Sequence, residues 1–396
     1  MKISASIYSD KNRSLKEVIH DLMDHQVDLL HVDCNDDLSV FDDILQIRSW
    51  CKIPIDLHII TENPSKYFDL LRKNPVEYLT FQYEDLKEPL NIPSDISGKR
   101  GLAVITPTSI DVFDSYSDFD FILIMATIPG QSGGAFDKIN FSKIRQFRAK
   151  YPNKSIHVDG GVNGEVSFIL RNMGVSSSVS GSYLFSGPSI GHALMNLTNR
   201  EIESSYCVED FMIPLEESPK DYIENCTTKS ILQAVENGNV GFTLILSQNN
   251  QFKGLVSSAD IRKAVLKKID DLAAIQPEDL INTNPIRIDG SATVFEMLQL
   301  IKKCSFPIMY LPVVNSQQNA IGIVNFVHLN GDGFKNPGKY ALPVNKTSAW
   351  KFIAQHGGLR PGHKLQGEIV SDLDTAKVAR SVDLSNSDLL KEIILK

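Results

Sequence analysis

The feature that most constrains the fold is an alternation of short β-rich runs with amphipathic helical patterns over the first 198 residues. The predicted strands are residues 2–8, 29–34, 53–60, 78–83, 101–105, 119–126, 155–160 and 177–182. The predicted helices are residues 15–24, 40–50, 64–72, 141–149 and 166–173. Residues 84–99 contain Pro89 and Pro93 and predict a short or irregular helix. Eight strands with interposed helices predict a (β/α)₈ barrel over residues 1–198.

Composition and charge narrow the class of protein. A chain of 396 residues predicts two or three domains, and its 42% hydrophobic and 22% charged residues are ordinary for a soluble globular protein. A net charge of −8 without a dense Lys/Arg block argues against a nucleic-acid partner. No apolar run approaches the ~18 residues that a membrane span needs. The five cysteines form no CxxC pair, and no signal peptide precedes the first strand, so we expect a cytoplasmic protein.

Ligand-type side chains stand at or near the ends of three predicted strands. His31 and Asp33 are two residues apart on the second strand, so both point to the same side. His58 comes from the third strand and Asp159 from the seventh. Each alone is more often a loop cap than a ligand, but parallel barrels collect such residues at the C-terminal ends of their strands. The set predicts a site for one divalent metal ion, either Zn²⁺, Fe²⁺, Mn²⁺ or Co²⁺.

Glycines follow the sixth, seventh and eighth predicted strands. They are Gly130 and Gly133, Gly160 and Gly161, and Gly181 before Ser182. Backbone N–H groups in such loops bind phosphate groups, and late-strand loops often form the phosphate site of a barrel. The alternative is that they are turn glycines, but their shared position favours a phosphate.

An ordered set of short segments in the first half of the chain resembles ribulose-phosphate 3-epimerases. The segments are Ala5-Ser6-Ile7, His31-Val32-Asp33, Asp56-Leu57-His58, Met125, Pro129-Gly130, Gly133, Val158-Asp159-Gly160-Gly161-Val162-Asn163 and Ser180-Gly181-Ser182. The resemblance implies that Asp33 and Asp159 act as acid and base and also bind the metal together with His31 and His58. It implies epimerisation at C3 of a ketose phosphate, with ribulose 5-phosphate to xylulose 5-phosphate as the leading reaction. The implied substrate-binding residues are Ser6, Met125, Gly130, Gly133, Gly160, Gly161, Gly181 and Ser182.

Some positions depart from the family pattern. Asn35 and Ile60 stand where the family usually has methionine, and Gln131-Ser132 alters the loop after strand six. These changes would alter the polarity and shape of the pocket, and they leave Asp33 and Asp159 in place. A six-carbon substrate such as allulose 6-phosphate is therefore an alternative. A further alternative is a catalytically retired barrel that binds a sugar phosphate for regulation.

A repeated unit follows a linker near residue 200. The first copy has a helix at 227–236, strands at 242–246 and 252–256, and a helix from residue 257; the second has a helix at 292–302, strands at 310–314 and 320–324, and residues 325–329. Gly254 and Gly322 mark equivalent turns. The pattern resembles tandem CBS domains over 207–331, divided at about 207–268 and 277–331, which predicts an α+β unit.

The resemblance to CBS domains implies a regulatory ligand, either an adenine nucleotide or a nucleotide-sugar. Ser257 would contact its phosphate and Asp260 its ribose, whereas Asn325 and His328 replace the equivalent residues of the second copy. The alternative for Asp260 is a helix cap. In a third hypothesis the repeat is the dominant part and transmits a nucleotide signal to a partner.

Residues 332–396 are predicted as a C-terminal extension of unknown role, with helical patterns at 348–355 and 387–395. A dimerisation or docking element is one expectation for it, and we expect a homo-oligomer.

Overall fold

The computed structural model describes residues 1–127, 133–198, 206–304 and 308–327, with the backbone of a parallel pair of short strands at Leu342–Pro343 and Leu365–Gln366. The described residues divide into two compact units, with the boundary near residue 200. The predicted segments at 348–355 and 387–395, and the predicted role of 332–396, lie outside this part of the chain. No helix in the described ranges is both long enough and apolar enough to span a bilayer.

The first unit is a closed barrel of eight parallel strands in sequence order, so the predicted (β/α)₈ architecture is confirmed. The strands are β1 (Lys2–Ser6), β2 (Leu29–Asn35), β3 (Ile55–Ile60), β4 (Tyr78–Gln82), β5 (Lys99–Ile105), β6 (Phe121–Met125), β7 (Ser155–Asp159) and β8 (Ser177–Ser180). The barrel closes through parallel pairing of β1 with β8.

The helices of the first unit are α1 (Leu15–Asp24), α2 (Val40–Trp50), α3 (Phe68–Lys73), α4 (Ile139–Lys150), α5 (Gly164–Asn172), α6 (Ser182–Ser186) and α7 (Ile190–Thr198). Helix α1 begins at a capping box in which the Ser14 hydroxyl accepts from Glu17 N–H and the Glu17 carboxylate accepts from Ser14 N–H. Helix α5 begins where the Asn163 side chain accepts from Val166 N–H.

Two connections on one side of the barrel lack an α-helix. After β4 there is a 3₁₀ turn at Tyr83–Asp85, and between β5 and β6 a 3₁₀ helix at Ile110–Tyr116. The prediction of an irregular segment after β4 is therefore confirmed, because Pro89 and Pro93 interrupt any regular helix there.

The register of the strands sets which side chains are neighbours. Asp33 pairs with His58 across β2 and β3, His31 pairs with Asp56, and Met125 pairs with Asp159 across β6 and β7. A cluster of buried apolar residues packs together from four strands, β2, β4, β5 and β6: Leu29, Tyr78, Ala103, Phe121, Leu123 and Met125.

The second unit contains the predicted repeat. Its elements are α8 (Val208–Phe211), β9 (Ile213–Pro214), β10 (Lys220–Tyr222), α9 (Thr228–Gly238), β11 (Phe242–Leu246), β12 (Phe252–Ser257), α10 (Ser258–Lys267), α11 (Pro277–Leu280), β13 (Ile288–Asp289), α12 (Val294–Lys302), β14 (Tyr310–Val314) and β15 (Ala320–Asn325). One sheet has the order β10-β11-β12 and the other β13-β14-β15-β9. Each copy is thus a short strand, a helix and an antiparallel hairpin.

The two copies share details of backbone geometry and a common core. Each hairpin has a register shift at the equivalent place, between Ile245 and Leu246 and between Val313 and Val314. The two hairpin turns also bond to each other, through Phe252 N–H to Gln318 O at 3.3 Å and Ala320 N–H to Asn250 O at 3.0 Å. One cluster of buried residues takes members from both copies: Leu215, Phe242, Leu244, Leu246, Phe252, Leu255, Val314, Ala320 and Ile323. The copies therefore form one core.

Candidate metal centre and active site

Four ligand-type side chains converge at the C-terminal ends of β2, β3 and β7. One ligand atom from each of His31, Asp33, His58 and Asp159 lies within 4.8 Å of the other three. Both histidines are fully buried, and the two carboxylates are partly accessible. The predicted convergence of these four residues is confirmed.

His31 is held by a buried carboxylate behind it. Its Nδ1 lies 3.0 Å from Asp56 Oδ2, which also accepts from Ser4 Oγ at 2.8 Å. Because an ionised carboxylate only accepts, Nδ1 carries the proton and Nε2 faces the cluster, 3.2 Å from Asp33 Oδ1 and 3.6 Å from Asp159 Oδ2. A histidine whose second nitrogen donates to a carboxylate is a common arrangement in metal sites.

His58 presents an unpaired nitrogen to the same space. Its Nε2 lies 2.9 Å from Gln82 Oε1, which is an acceptor, so the proton is on Nε2. Its Nδ1 is buried, has no hydrogen-bond partner among the described residues, and lies 3.4 Å from Asp33 Oδ1. A buried lone pair beside a carboxylate is costly unless something binds it. The donor set therefore fits a cation coordinated by two imidazole nitrogens and two carboxylate oxygens.

The electrostatics of the cluster separate its two carboxylates. Burial opposes ionisation of Asp33, but the adjacent His31 and His58 outweigh it and hold the pKa of Asp33 far below its usual range. For Asp159, burial together with the charge of Asp33 raises the pKa to about 6, against the opposing effect of the histidines. Burial alone would lower the pKa of His31, but Asp33 and Asp56 raise it well above its ordinary value. The site accordingly attracts positive charge.

Two predicted substrate residues lie beside the cluster along the strands. Ser6 ends β1 and pairs with His31, and its Oγ accepts from Ser9 Oγ at 3.1 Å. Met125 ends β6, is buried, and pairs with Asp159. These positions are compatible with a substrate above the cluster, and the binding role of both residues stays a prediction.

The late-strand glycines are required by backbone geometry and close packing. Gly160 and Gly161 have φ of +107° and +66°. A Cβ on Gly161 would lie 2.3 Å from Phe136 N, and one on Gly181 would lie 2.2 Å from Ser9 Oγ. Backbone conformation and close packing explain why these three positions carry glycine, so phosphate binding by them stays a prediction.

The other predicted phosphate residues lie in the same region of the chain. Gly133 has φ of +95°, and a Cβ there would meet no atom of the described residues within 4 Å. Ser182 begins α6. Gly130, with Pro129 before it, lies outside the described residues.

The residues that orient the two histidines were not predicted from the sequence. Asp56 and Ser4 support His31, and Gln82 supports His58. All three are buried inside strands. The sequence did contain one sign of such a residue. Asp56 precedes His58 by two residues, so the two side chains lie on the same face of β3.

In the repeat, Ser257 and Asp260 form a capping box at the start of α10. Asp260 Oδ2 accepts from Ser257 N–H at 3.0 Å and from Ser257 Oγ at 2.6 Å, while Ser257 Oγ accepts from Asp260 N–H at 3.4 Å. Ser257 is the N-cap and Asp260 is the third residue of the helix, so Asp260 contributes to capping as the partner of the N-cap residue. Nucleotide binding by these two residues stays a prediction. In the second copy, Asn325 Oδ1 accepts from Val327 N–H at 2.9 Å, and His328 lies outside the described residues.

Comparison with known proteins finds a family match within each of the two units. Residues 2–185 match the ribulose-phosphate 3-epimerase family, and residues 278–329 match the CBS domain. The ribulose-phosphate 3-epimerase of Methanocaldococcus jannaschii is 28% identical over 52% of this chain and 92% of its own. The cytoplasmic isoform from Oryza sativa subsp. japonica is 26% identical over 52% of this chain and 95% of its own.

Among solved structures, the CBS-pair protein CBSX2 from Arabidopsis thaliana aligns at 22% identity over 33% of this chain and 95% of its own, with a TM-score of 0.27. Residues 2–185, which include all eight strands of the observed barrel, are therefore similar to ribulose-phosphate 3-epimerases, which are epimerase-type isomerases, and a match to the CBS domain follows at residues 278–329.

Proposed function

We propose that the barrel catalyses metal-dependent epimerisation at C3 of a ketose phosphate, with D-ribulose 5-phosphate to D-xylulose 5-phosphate as the leading reaction. The observation that carries the proposal is the convergence of Asp33 and Asp159 with two supported histidines. The relatives described above are named for this reaction.

Epimerisation next to a ketone needs two proton transfers on opposite faces of one carbon. One carboxylate removes the C3 proton to give an enediolate, and the other returns a proton from the opposite side. Asp33 and Asp159 come from β2 and β7 and approach the same His31 nitrogen from different strands. They are the residues to which we assign the two transfers.

The metal would be held by His31 Nε2, His58 Nδ1 and one oxygen from each of the two aspartates. A bound divalent cation stabilises the negative charge that develops on the substrate oxygen. Imidazole with carboxylate ligands accepts Zn²⁺, Fe²⁺, Mn²⁺ or Co²⁺, so we propose one ion of this group.

A six-carbon ketose phosphate such as allulose 6-phosphate is the second candidate substrate. Asn35 and Ile60, the two departures from the family pattern, are paired neighbours at the ends of β2 and β3. Two changes side by side at the rim of a site alter its shape and polarity together. The alternative of a retired barrel is disfavoured by the intact and gathered set of four ligand-type residues.

For the CBS repeat we propose regulatory binding of an adenine nucleotide or a nucleotide-sugar in a cytoplasmic homo-oligomer. The support is the CBS family match at 278–329 together with the internal repeat. A thermal shift of the full chain with AMP, ATP and UDP-sugars tests this, and no shift with any of them contradicts it.

The decisive test of the barrel is hydrogen exchange at C3 in D₂O, followed by NMR on protein loaded with Zn²⁺ or Co²⁺. Ribulose 5-phosphate should exchange and yield xylulose 5-phosphate. Asp33→Asn and Asp159→Asn should each lose at least about 10²-fold in rate, because each removes one of the two proton carriers. Failure of wild type to exchange either ribulose 5-phosphate or allulose 6-phosphate would overturn the proposal.

A further inference from the structure

A chain of hydrogen bonds leads from Glu84 through Gln82 to His58 Nε2, the ring nitrogen opposite the unpaired Nδ1. We propose that Gln82 and Glu84 are positioning residues that fix His58 in the tautomer that can bind the metal. The inference rests on the proposed function, since it concerns how the chain holds one ligand of that metal.

The Gln82 side chain can face His58 in only one way. An amide has a donor end and an acceptor end, whereas an ionised carboxylate only accepts. Gln82 Nε2 donates to Glu84 Oε2 at 2.5 Å, which turns Gln82 Oε1 toward His58 Nε2 at 2.9 Å. Glu84 therefore decides which end of the amide His58 meets.

Glu84 is in turn held from its other side. Its Oε1 accepts from Ile105 N–H at 3.0 Å and from Thr108 Oγ at 2.5 Å. The same turn is tied to α4, because Lys143 Nζ donates to Ile105 O at 2.7 Å and to Thr108 O at 2.6 Å. Both oxygens of Glu84 thus accept from fixed donors.

The hydrogen bonds from Glu84 through Gln82 to His58 form a relay, and this relay opposes the other tautomer of His58. If the proton moved to Nδ1, that group could donate to Asp33 Oδ1 at 3.4 Å, and the lone pair needed for the metal would be lost. With Gln82 Oε1 as the neighbour of Nε2, that tautomer would place two acceptors against each other. The Nε2–H tautomer is therefore selected, and Nδ1 keeps its lone pair, with no hydrogen-bond partner among the described residues.

Glu84→Gln tests this by changing one acceptor into a donor. Ile105 N–H is an obligate donor, so the new amide would turn its oxygen to the turn and its NH₂ to Gln82. Gln82 would then flip, its NH₂ would face His58 Nε2, and the proton would move to Nδ1. We expect the affinity for Zn²⁺ to fall about 10–100-fold, the usual cost of losing the partner of a metal-binding histidine.

The swapped pair Gln82→Glu with Glu84→Gln provides the rescue. A carboxylate at 82 would accept both from the new amide and from His58 Nε2–H, so the original tautomer returns. Zn²⁺ affinity should recover to within a few-fold of wild type. A merely structural role of the pair would not predict recovery from two changes after loss from one.

The readouts are competition for Zn²⁺ against a chromophoric chelator and ¹⁵N NMR of the His58 ring in metal-free protein. Ser167→Ala, which removes a buried hydroxyl that donates to Leu197 O, is the matched control and should leave affinity unchanged. Gln82→Leu removes the acceptor of the His58 Nε2 proton, and it should weaken Zn²⁺ binding to a similar extent as Glu84→Gln.

The outcomes separate this inference from the proposed function. Wild-type protein that binds neither Zn²⁺ nor Co²⁺ overturns the metal site itself. Wild-type protein that binds Zn²⁺ while Glu84→Gln and Gln82→Leu bind it equally well overturns only the positioning role. Nδ1 protonation in Glu84→Gln, reversed in the swapped pair, supports the relay.

Discussion

Both units place acidic or hydroxyl side chains at the end of a strand, yet those side chains have different partners. In the barrel, Asp33 contacts His31 and His58, and His58 comes from another strand. In the repeat, Asp260 bonds to Ser257, three residues away, at the start of their own helix. A polar residue near a strand end is therefore a ligand candidate when groups close in sequence leave its polar atoms without hydrogen bonds. The Asp260 carboxylate already accepts two hydrogen bonds from Ser257, whereas His58 Nδ1 has no hydrogen-bond partner among the described residues.

The largest effect should come from removing a ligand in the barrel. His58→Ala deletes the unpaired nitrogen, and we expect Zn²⁺ affinity to fall by more than about a hundredfold, beyond the loss usual when only a hydrogen-bond partner of a metal ligand is removed. Chelation of wild type should abolish C3 exchange, and added metal should restore it. Asp260→Ala should retain wild-type exchange, and exchange that survives both chelation and His58→Ala would contradict the metal site.

The next effect concerns the support of His31. In Asp56→Asn the acceptor of the His31 Nδ1 proton becomes neutral, so the histidine is a weaker ligand, and we expect roughly tenfold weaker Zn²⁺ binding. Ser4→Ala removes the other hydrogen bond of Asp56 but leaves its carboxylate, and it should cost less. Equal affinity in wild type and Asp56→Asn, measured by chelator competition, would show that His31 needs no charged partner.

A smaller effect is expected on the stability of the repeat. Ser257→Ala and Asp260→Ala each break the capping box of α10, and each should lower the free energy of unfolding of the second unit by about 1 kcal/mol. Urea unfolding of the full chain measures the change. If Asp260→Ala leaves stability intact but abolishes a thermal shift with AMP, Asp260 is a ligand residue after all.

The smallest effect should come from His25, which follows α1 as its C-cap residue. Its Nδ1 lies 2.8 Å from Asp21 O and 3.2 Å from Asp21 Oδ1, so His25 has partners close in sequence, as Asp260 does. Burial lowers the pKa of His25, but Asp21 outweighs this and raises it above the usual value. The stability that His25 adds is therefore complete below its unfolded pKa of about 6.5 and is lost as pH rises through the folded pKa.

His25→Gln should accordingly destabilise the protein more at pH 5.5 than at pH 9, by up to about 1 kcal/mol. Urea unfolding of wild type and variant at the two pH values measures this. A difference that grows with pH would contradict the assigned direction of the pKa shift.

Much of the barrel could be predicted because local sequence determines it. The bounds of α1 and α2 match the prediction because amphipathic spacing coincides with a capping box in α1 and with an apolar stripe in α2. All eight barrel strands were predicted, with differences of one or two residues at nine of the sixteen ends. Ends shift because strand pairing, rather than composition, decides where a strand stops.

The supporting residues could not be predicted in the same way. His31, Asp33, His58 and Asp159 are residue types with known ligand chemistry, so their pattern indicated a site. Asp56 and Gln82 matter because of partners on neighbouring strands, and the register that brings them together is a property of the closed barrel. The local sign of a supporting residue is a polar side chain two positions before a ligand in an otherwise apolar strand.

The shared core of the two repeats has a consequence for how this part of the chain can change over time. Because Phe252 and Ala320 each bond to the turn of the other copy, and one apolar cluster serves both, neither copy can be deleted without exposing the other. The two copies differ in sequence at equivalent positions, as at Ser257 and Asn325. A change that deletes one copy should nevertheless destabilise the other, so the shared core constrains the two copies to be kept together.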